Sequence, residues 1–412
     1  MNELEILNSR IKDFIKKNYK KSFNEPKGDL RHKFLEPASA YRGQLWDWDS
    51  FFCGLALIDV YDNTYEYVKG CALNFLDHQR DDGSIPYMID VSGGTMEALP
   101  KLGMKVRDEN SDLNSIKPLL AQMILLAAKK DDDILWIKNN YHKLQKHIIH
   151  WEQTQKIKNG LFVWRSYRGS GTDNHPALYG RPLNSSVGVE LNCFMYIEYI
   201  AMSKIAEKLG KGNDAGLYIK KSKELAKAIN ENMWDPIDRL YYNLDALSVK
   251  PPLARQEVFW NVPLKFRVWT CFVPMYVKIA PEDYACDMVK LHLMNPDEFY
   301  SDYGLRTIAK NEPIYNTVES SNPSNWQGPI WVVSTYIMFK GLLNYGYVKE
   351  AAAVAGNLLN VLVNDIDKNG AMHEYYNPET GNSNINLGFM NWNALSGLMV
   401  DEIKRYTPKQ SI

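Results

Sequence analysis

The sequence predicts an all-α fold built as a ring of helix pairs, and three observations carry that expectation. First, about twelve stretches repeat apolar residues with a helical period, near 3-19, 50-62, 65-78, 113-130, 133-157, 188-209, 213-232, 267-279, 282-292, 328-345, 347-363 and 391-403; no run alternates with period two beyond a few residues. Second, the connections alternate in length. Links near 62-65, 130-133, 209-213, 279-282 and 345-347 are short enough for antiparallel neighbours, whereas those near 20-49, 79-112, 158-187, 233-266, 293-327 and 364-390 are long. Third, helices that follow a long loop, such as Leu113 to Ala128, Val268 to Ala280 and Gly328 to Leu343, are the more apolar. Those that follow a short link, such as Asp133 to Gln155 and Asn213 to Asn232, carry a charged face. The first kind reads as an inner ring and the second as an outer one, which describes an (α/α)6 toroid. It forms one domain over 1-412, with every long loop gathered on one face as a mouth.

Composition narrows the partners. The chain has 412 residues, 45% of them hydrophobic, and a formal charge of -1 with Lys and Arg spread throughout, so no basic stripe awaits nucleic acid. Five cysteines (Cys53, Cys71, Cys193, Cys271, Cys286) stand far apart, without the spacing of a zinc site, and read as buried thiols of a reducing compartment. Met1 to Lys20 is a charged amphipathic helix rather than a signal segment, and no window approaches the ~18 apolar residues of a membrane span. A cytoplasmic protein acting on something neutral or small is the expectation, with oligomeric state open.

Tyr41-Arg42-Gly43-Gln44-Leu45-Trp46-Asp47-Trp48-Asp49-Ser50-Phe51-Phe52 gathers flat aromatic faces and carboxylates just before a helix. That mixture suits a ligand with apolar ring faces and a rim of hydroxyls, as a sugar has; it would equally seal one end of a helical domain. In Arg168-Gly169-Ser170-Gly171-Thr172-Asp173-Asn174-His175-Pro176, glycines permit close backbone approach, and Asp173 reads as a turn former or as a reactive carboxyl. Glu374 lies in His373-Glu374-Tyr375-Tyr376-Asn377-Pro378-Glu379-Thr380-Gly381, where aromatic neighbours could perturb its ionisation or hold it to orient a water, and where it could equally cap or pair within the turn. In Ser324-Asn325-Trp326-Gln327-Gly328-Pro329-Ile330-Trp331, Pro329 is ordinary helix-start chemistry, but Trp326 and Gln327 are not required for it.

Taken in order, Trp46-Asp47-Trp48-Asp49-Ser50-Phe51-Phe52, Gly171-Thr172-Asp173-Asn174, Asp302-Tyr303-Gly304-Leu305-Arg306, Asn325-Trp326-Gln327-Gly328-Pro329-Ile330-Trp331 and the Glu374 to Gly381 segment resemble glycoside hydrolase family 63 and its trehalase-like relatives. The length resembles the short branch that hydrolyses mannosylglycerate and glucosylglycerate. The resemblance runs from about 41 to 398 and implies an (α/α)6 barrel and an inverting α-glycosidase. It implies Asp173 as general acid and Glu374 as general base, and a sugar site drawing on Tyr41, Trp46, Trp48, Asp49, Phe52, Gly171, Asn174, Trp326, Gln327 and Trp331. Many relatives have Arg where Gln327 stands, and Ser-Pro-Arg where this chain has His175-Pro176-Ala177. Both departures bear on the leaving group.

The chemistry expected is acid-base hydrolysis, with Asp173 kept protonated and Glu374 holding a water. No metal or cofactor is called for. A glycerate aglycone would want a cation such as Arg107, Arg181 or Arg306. Two other readings stand beside this one: a sugar epimerase using His175 and His373 for proton transfer, and a noncatalytic carbohydrate-binding toroid.

Overall fold

The computed structural model describes residues 3–93, 114–131, 133–245, 262–318 and 324–406, with the backbone of two further short strands at 248–249 and 258–259. Within these, the helices are α1 (Glu3–Asn18), α2 (Asp47–Leu57), α3 (Thr64–Asp77), α4 (Leu120–Ala127), α5 (Leu135–Thr154), α6 (Val189–Lys208), α7 (Gly212–Asn232), α8 (Val273–Tyr276), α9 (Glu282–Asp287), α10 (Val332–Asn344), α11 (Val348–Asn369) and α12 (Met399–Tyr406). Some differ from the periodic stretches for local reasons. The helix expected from residue 113 starts at Leu120, because Lys117 precedes Pro118 and is pushed out of helical backbone. The stretch near 282-292 closes as a π-helix over Met288–Leu293. Those near 267-279 and 391-403 open as tight 3-10 turns, Trp269–Phe272 and Trp392–Leu398, ahead of α8 and α12.

The more apolar segments touch in sequence. Helix α2 packs against α4, α4 against α6, α6 against α8, α8 against α10, and α10 against the Trp392–Leu398 turn, which in turn packs against α2. The charged helices lie on these: α3 on α2 and α4, α5 on α4, α7 on α6, and α11 on α10, with α1 against α11. An amphipathic helix buries only its apolar stripe, whereas α10 buries nearly every residue from Val332 to Leu343. The core accordingly runs through the more apolar segments.

Period-two alternation is too short to be seen in the sequence, yet small antiparallel ladders occur where loops enter the more apolar helices. Gln44–Trp46, leading into α2, pairs with Met88–Asp90. Ile330–Trp331, leading into α10, pairs with Tyr375–Tyr376, and Ser186–Val187, leading into α6, pairs with Asn243–Asp245. Each ladder supplies hydrogen bonds to backbone that has left one helix and not begun the next. The second ladder sets the Trp326 segment beside the Glu374 segment.

Four of the five cysteines are buried thiols; Cys286, expected to be buried, is half-exposed at the end of α9. None is disulfide-bonded. Among the described residues no helix is long and apolar enough to cross a membrane.

Candidate active site

Asp47 and Asp49 occupy the first turn of α2, where the helix dipole favours negative charge. Asp47 is fully buried and its carboxylate is saturated. The Lys117 ammonium donates to it at 2.9 and 3.2 Å, and the backbone N–H groups of Lys117 and Trp48 donate at 2.9 and 2.7 Å. Lys117 also lies 5.0 Å over the Trp48 ring, holding the indole by its face. Asp49 accepts from the Asn391 amide, and burial, together with the charge of Asp47, pushes its carboxyl well above the usual range while Lys117 pulls it back.

Asp173 enters on a loop gripped at both ends. Gly171 is left-handed (φ 77°), and a Cβ there would lie 2.9 Å from Trp48 and 3.2 Å from the Lys117 ammonium, so only glycine allows this approach. On the other side, Asn174 clamps the loop to the Trp326 segment. Its side-chain carbonyl accepts from the Trp326 N–H at 2.7 Å, its amide donates to Asn325 at 2.9 Å, and its own main-chain carbonyl accepts from the Gln327 amide at 2.9 Å. Asn174 and Gln327, two residues the resemblance puts at the sugar, thus direct their polar groups at each other's loops. Asp173 itself is half-buried between the two grips.

Glu374 is 4% exposed. The Tyr41 hydroxyl donates to its two oxygens at 3.3 and 3.4 Å, and the Asn386 amide donates as well. Burial raises the Glu374 carboxyl to about 7 and the charge of Asp173 adds to this, while the Asn386 and Tyr41 hydrogen bonds oppose it. Burial also drives the Tyr41 hydroxyl well above its usual range, followed by the charges of Glu374, Asp49 and Asp173. Those three carboxyls therefore converge on one phenol, although they come from α2 and from loops far apart in the chain.

The walls are aromatic. Trp326 stacks on Trp331 at 4.0 Å between ring centroids, and Trp331 on Tyr375 at 4.7 Å. Trp48 lies 5.7 Å from Trp326 and 5.3 Å from Trp392. Tyr41 meets Trp46 and Phe389 edge-on at 6.1 and 6.3 Å. Phe52 and Trp331 stand behind this surface: Phe52 is fully buried against Trp48 and Phe51, and Trp331 is sealed with its indole N–H donating to the Asn325 carbonyl. They shape the wall rather than face a ligand.

Five neighbours in this cluster escaped the sequence reading: Lys117, Tyr87, Asn386 and the Asn391-Trp392 pair. The last is an aromatic flanked by amides in Asn391-Trp392-Asn393, the same kind of signal as Asn325-Trp326-Gln327, and could have been found. The Tyr87 hydroxyl and the Trp392 and Trp269 indole N–H groups are buried without a partner among the described residues. Buried polar groups of this kind cost free energy unless a ligand or water meets them.

Two cations considered for an anionic aglycone are otherwise engaged. Arg306 donates to Glu379 at 3.0 Å and to the carbonyls of Pro296, Glu298 and Tyr300. This joins the Asp302 to Arg306 motif to the turn after Glu374; Lys310 and Tyr315 bind Glu379 too, and its carboxyl drops to about 2 despite partial burial. Arg181 pairs with Asp245 at 2.9 Å. Arg107 lies outside the described residues. Nor do the two histidines face each other as a proton-transfer pair. His175 is sealed against Thr270, Asn243 and the Ala177 N–H, and burial lowers it to about 3, while His373 points its Nδ1 at Asp365.

Residues 42–393 match the model of the mannosylglycerate hydrolase MGH1-like glycoside hydrolase domain. An Arabidopsis thaliana protein named alpha-glucosidase 2 is 24% identical over 304 residues, which are 65% of this chain and 38% of that protein. Mannosylglycerate hydrolase MGH1 of Selaginella moellendorffii is 25% identical over 123 residues, 30% of this chain and 22% of that one. This chain thus spans less than half the length of the curated relatives it matches. In fold it resembles a family 63 mannosylglycerate hydrolase of Thermus thermophilus in complex with glucose, with a TM-score of 0.68 at 16% identity over 96% of this chain and 100% of that one. Neutral trehalase Nth1 of Saccharomyces cerevisiae gives 0.63 at 14% identity over 92% of this chain and 76% of that one. The motif order, the aromatic site with its carboxyls and the match over most of the chain agree: the protein belongs to the MGH1-like glycoside hydrolases of glycoside hydrolase family 63.

Proposed function

We propose that the protein is an inverting α-glycosidase on an (α/α)6 toroid, cleaving a small α-linked glucoside or mannoside, with Asp173 as general acid and Glu374 as general base. The observation that carries this reading is the placing of Glu374. It is buried, tethered by Tyr41 and Asn386, and within electrostatic reach of Asp173 across an aromatic-walled site. The closed order of inner-segment contacts supports the toroid.

In the reaction, Asp173 gives its proton to the glycosidic oxygen as the bond from that oxygen to C1 breaks. A water adds to C1 from the opposite ring face while Glu374 takes its proton, so the sugar leaves with its anomeric configuration inverted. Tyr41 and Asn386 hold the carboxylate of Glu374 toward that water. The buried indoles of Trp48 and Trp326 exclude solvent, and the more exposed rings of Tyr41 and Trp46 offer faces to the C–H side of a pyranose. Asp49 is set to hydrogen-bond a sugar hydroxyl. The charges of Asp173 and Glu374 disfavour each other, so ionisation of Glu374, raised to about 7, goes with a proton on Asp173, which is the state the reaction uses.

Following hydrolysis of a panel of α-linked glucosides and mannosides by NMR tests the reading. The first sugar formed should be the β-anomer. Release of the α-anomer would replace inversion by retention, isomerised free sugar would favour an epimerase, and binding without turnover of any member would leave a carbohydrate-binding toroid.

A further inference from the structure

Next to the segment that carries Glu374 lies a second buried carboxyl, Asp365, near the end of α11. It is 5% exposed and collects four donors. The His373 backbone N–H donates at 2.8 Å and its ring lies at 3.0 Å; the Tyr376 hydroxyl donates at 2.8 Å and the Asn369 amide at 2.8 Å. The same Tyr376 hydroxyl also accepts from the His373 N–H at 3.0 Å, and the His373 carbonyl accepts from Asn393 at 2.7 Å.

His373 and Tyr376 bracket Glu374 in the chain. One carboxylate therefore fixes both sides of the segment that carries the base, while Gly370, left-handed at φ 76°, ends α11 so that the chain can fold back onto the helix it has just left. Nothing in the proposed reaction uses Asp365, Tyr376 or His373 directly. A structural ion pair would need only one of these contacts. Convergence of a backbone N–H, a ring and a phenol from the two flanks of one residue is the geometry of a brace.

We propose that Asp365 is the positioning residue for Glu374, holding its carboxyl in the buried slot between Tyr41 and Asn386. The inference rests on the reading of Glu374 as base, but its test does not. Burial opposes ionisation of Asp365, yet the Asn369, His373 and Tyr376 hydrogen bonds hold it below the usual carboxylate range, so it stays charged at working pH and the brace stays closed. The groups facing Glu374 are Tyr41, Asn386, Asp173 and, from α2, Asp49. None is touched by a change at 365.

The measurement is the titration of the Glu374 carboxyl by NMR in protein carrying labelled glutamate, with E374Q to assign the signal. The wild type should titrate near 7. In D365A the loosened segment admits water, and the carboxyl should fall toward the ordinary 4.5; the isosteric D365N, which keeps one acceptor, should fall between the two. Y376F, which removes the hydroxyl shared by Asp365 and His373, should move in the same direction and covers the case in which D365A does not fold. On a cleaved substrate, D365A should lower kcat by about 10²-fold with KM little changed, as displacement of a base by an ångström does. A Glu374 titration unchanged in a folded D365A, D365N or Y376F overturns the brace, whether or not the protein proves to be a hydrolase. Absence of hydrolysis with a shifted titration would instead overturn the reaction and leave the brace standing.

Discussion

The Tyr41 hydroxyl donates to both oxygens of Glu374, at 3.3 and 3.4 Å, from a segment 333 positions earlier in the chain. The contact favours the ionised carboxyl. Tyr41→Phe should therefore raise the titration of Glu374 further, moving the acid limb of the kcat/KM profile to higher pH and lowering activity at pH 6 more than at pH 8. A limb that stays in place would detach Tyr41 from the base.

Asp173→Asn and Glu374→Gln should each fold normally and lose at least ~10²–10⁴ in kcat. An α-glycosyl fluoride separates their roles, since fluoride leaves without a proton. Asp173→Asn should keep substantial activity on it and Glu374→Gln should not. The opposite pattern exchanges acid and base.

Breaking the Asp47–Lys117 pair leaves a buried charge without its partner. Lys117→Met should cost about 3–5 kcal/mol by chemical denaturation. Part of that loss should return in Asp47→Asn/Lys117→Met. A cost below about 1 kcal/mol for the single variant, the range of exposed pairs, would show that the pair is more solvated than its burial implies.

Stability should also respond to Glu374. Its folded-state carboxyl is raised to about 7 against an ordinary 4.5, so between those values the folded protein binds more protons than the unfolded one, and the contribution to stability falls as pH rises through that window. Glu374→Gln removes this term. The variant should gain stability over the wild type at pH 8, on the order of 3 kcal/mol at most, and much less at pH 4.5. Equal gains at both values would mean that burial of the charge is not the cause.

Much of this arrangement was legible in the sequence, for a reason that also sets its limit. Helix period, loop length and the position of Trp, Gly and Pro at helix starts are local signals, and they located α1, α3, α6, α7 and α10, and the start of α11, to within a few residues. They marked the loops of Asp173 and Glu374 as candidates, and the resemblance to family 63 supplied the roles proposed for them. The partners of those carboxyls follow no period. Asn386 reaches Glu374 from a loop, Lys117 reaches Asp47 across 70 positions, and Asp365 sits on a face that reads only as the apolar stripe of an outer helix. Arg181 and Arg306 show the reverse error, since a cation in a mouth loop looks available until the carboxylate that claims it is placed.

The contact between α2 and the Trp392–Leu398 turn has a kinetic meaning. Asp49 and Asn391, which meet there, are 342 positions apart, so the proposed ligand surface is assembled across a seam that joins the early part of the molecule to the late one. Closing so long a loop is slow compared with forming any single helix pair. Helical signal should therefore appear well before ligand binding during refolding, and that binding should arrive with the last step rather than grow in proportion to structure.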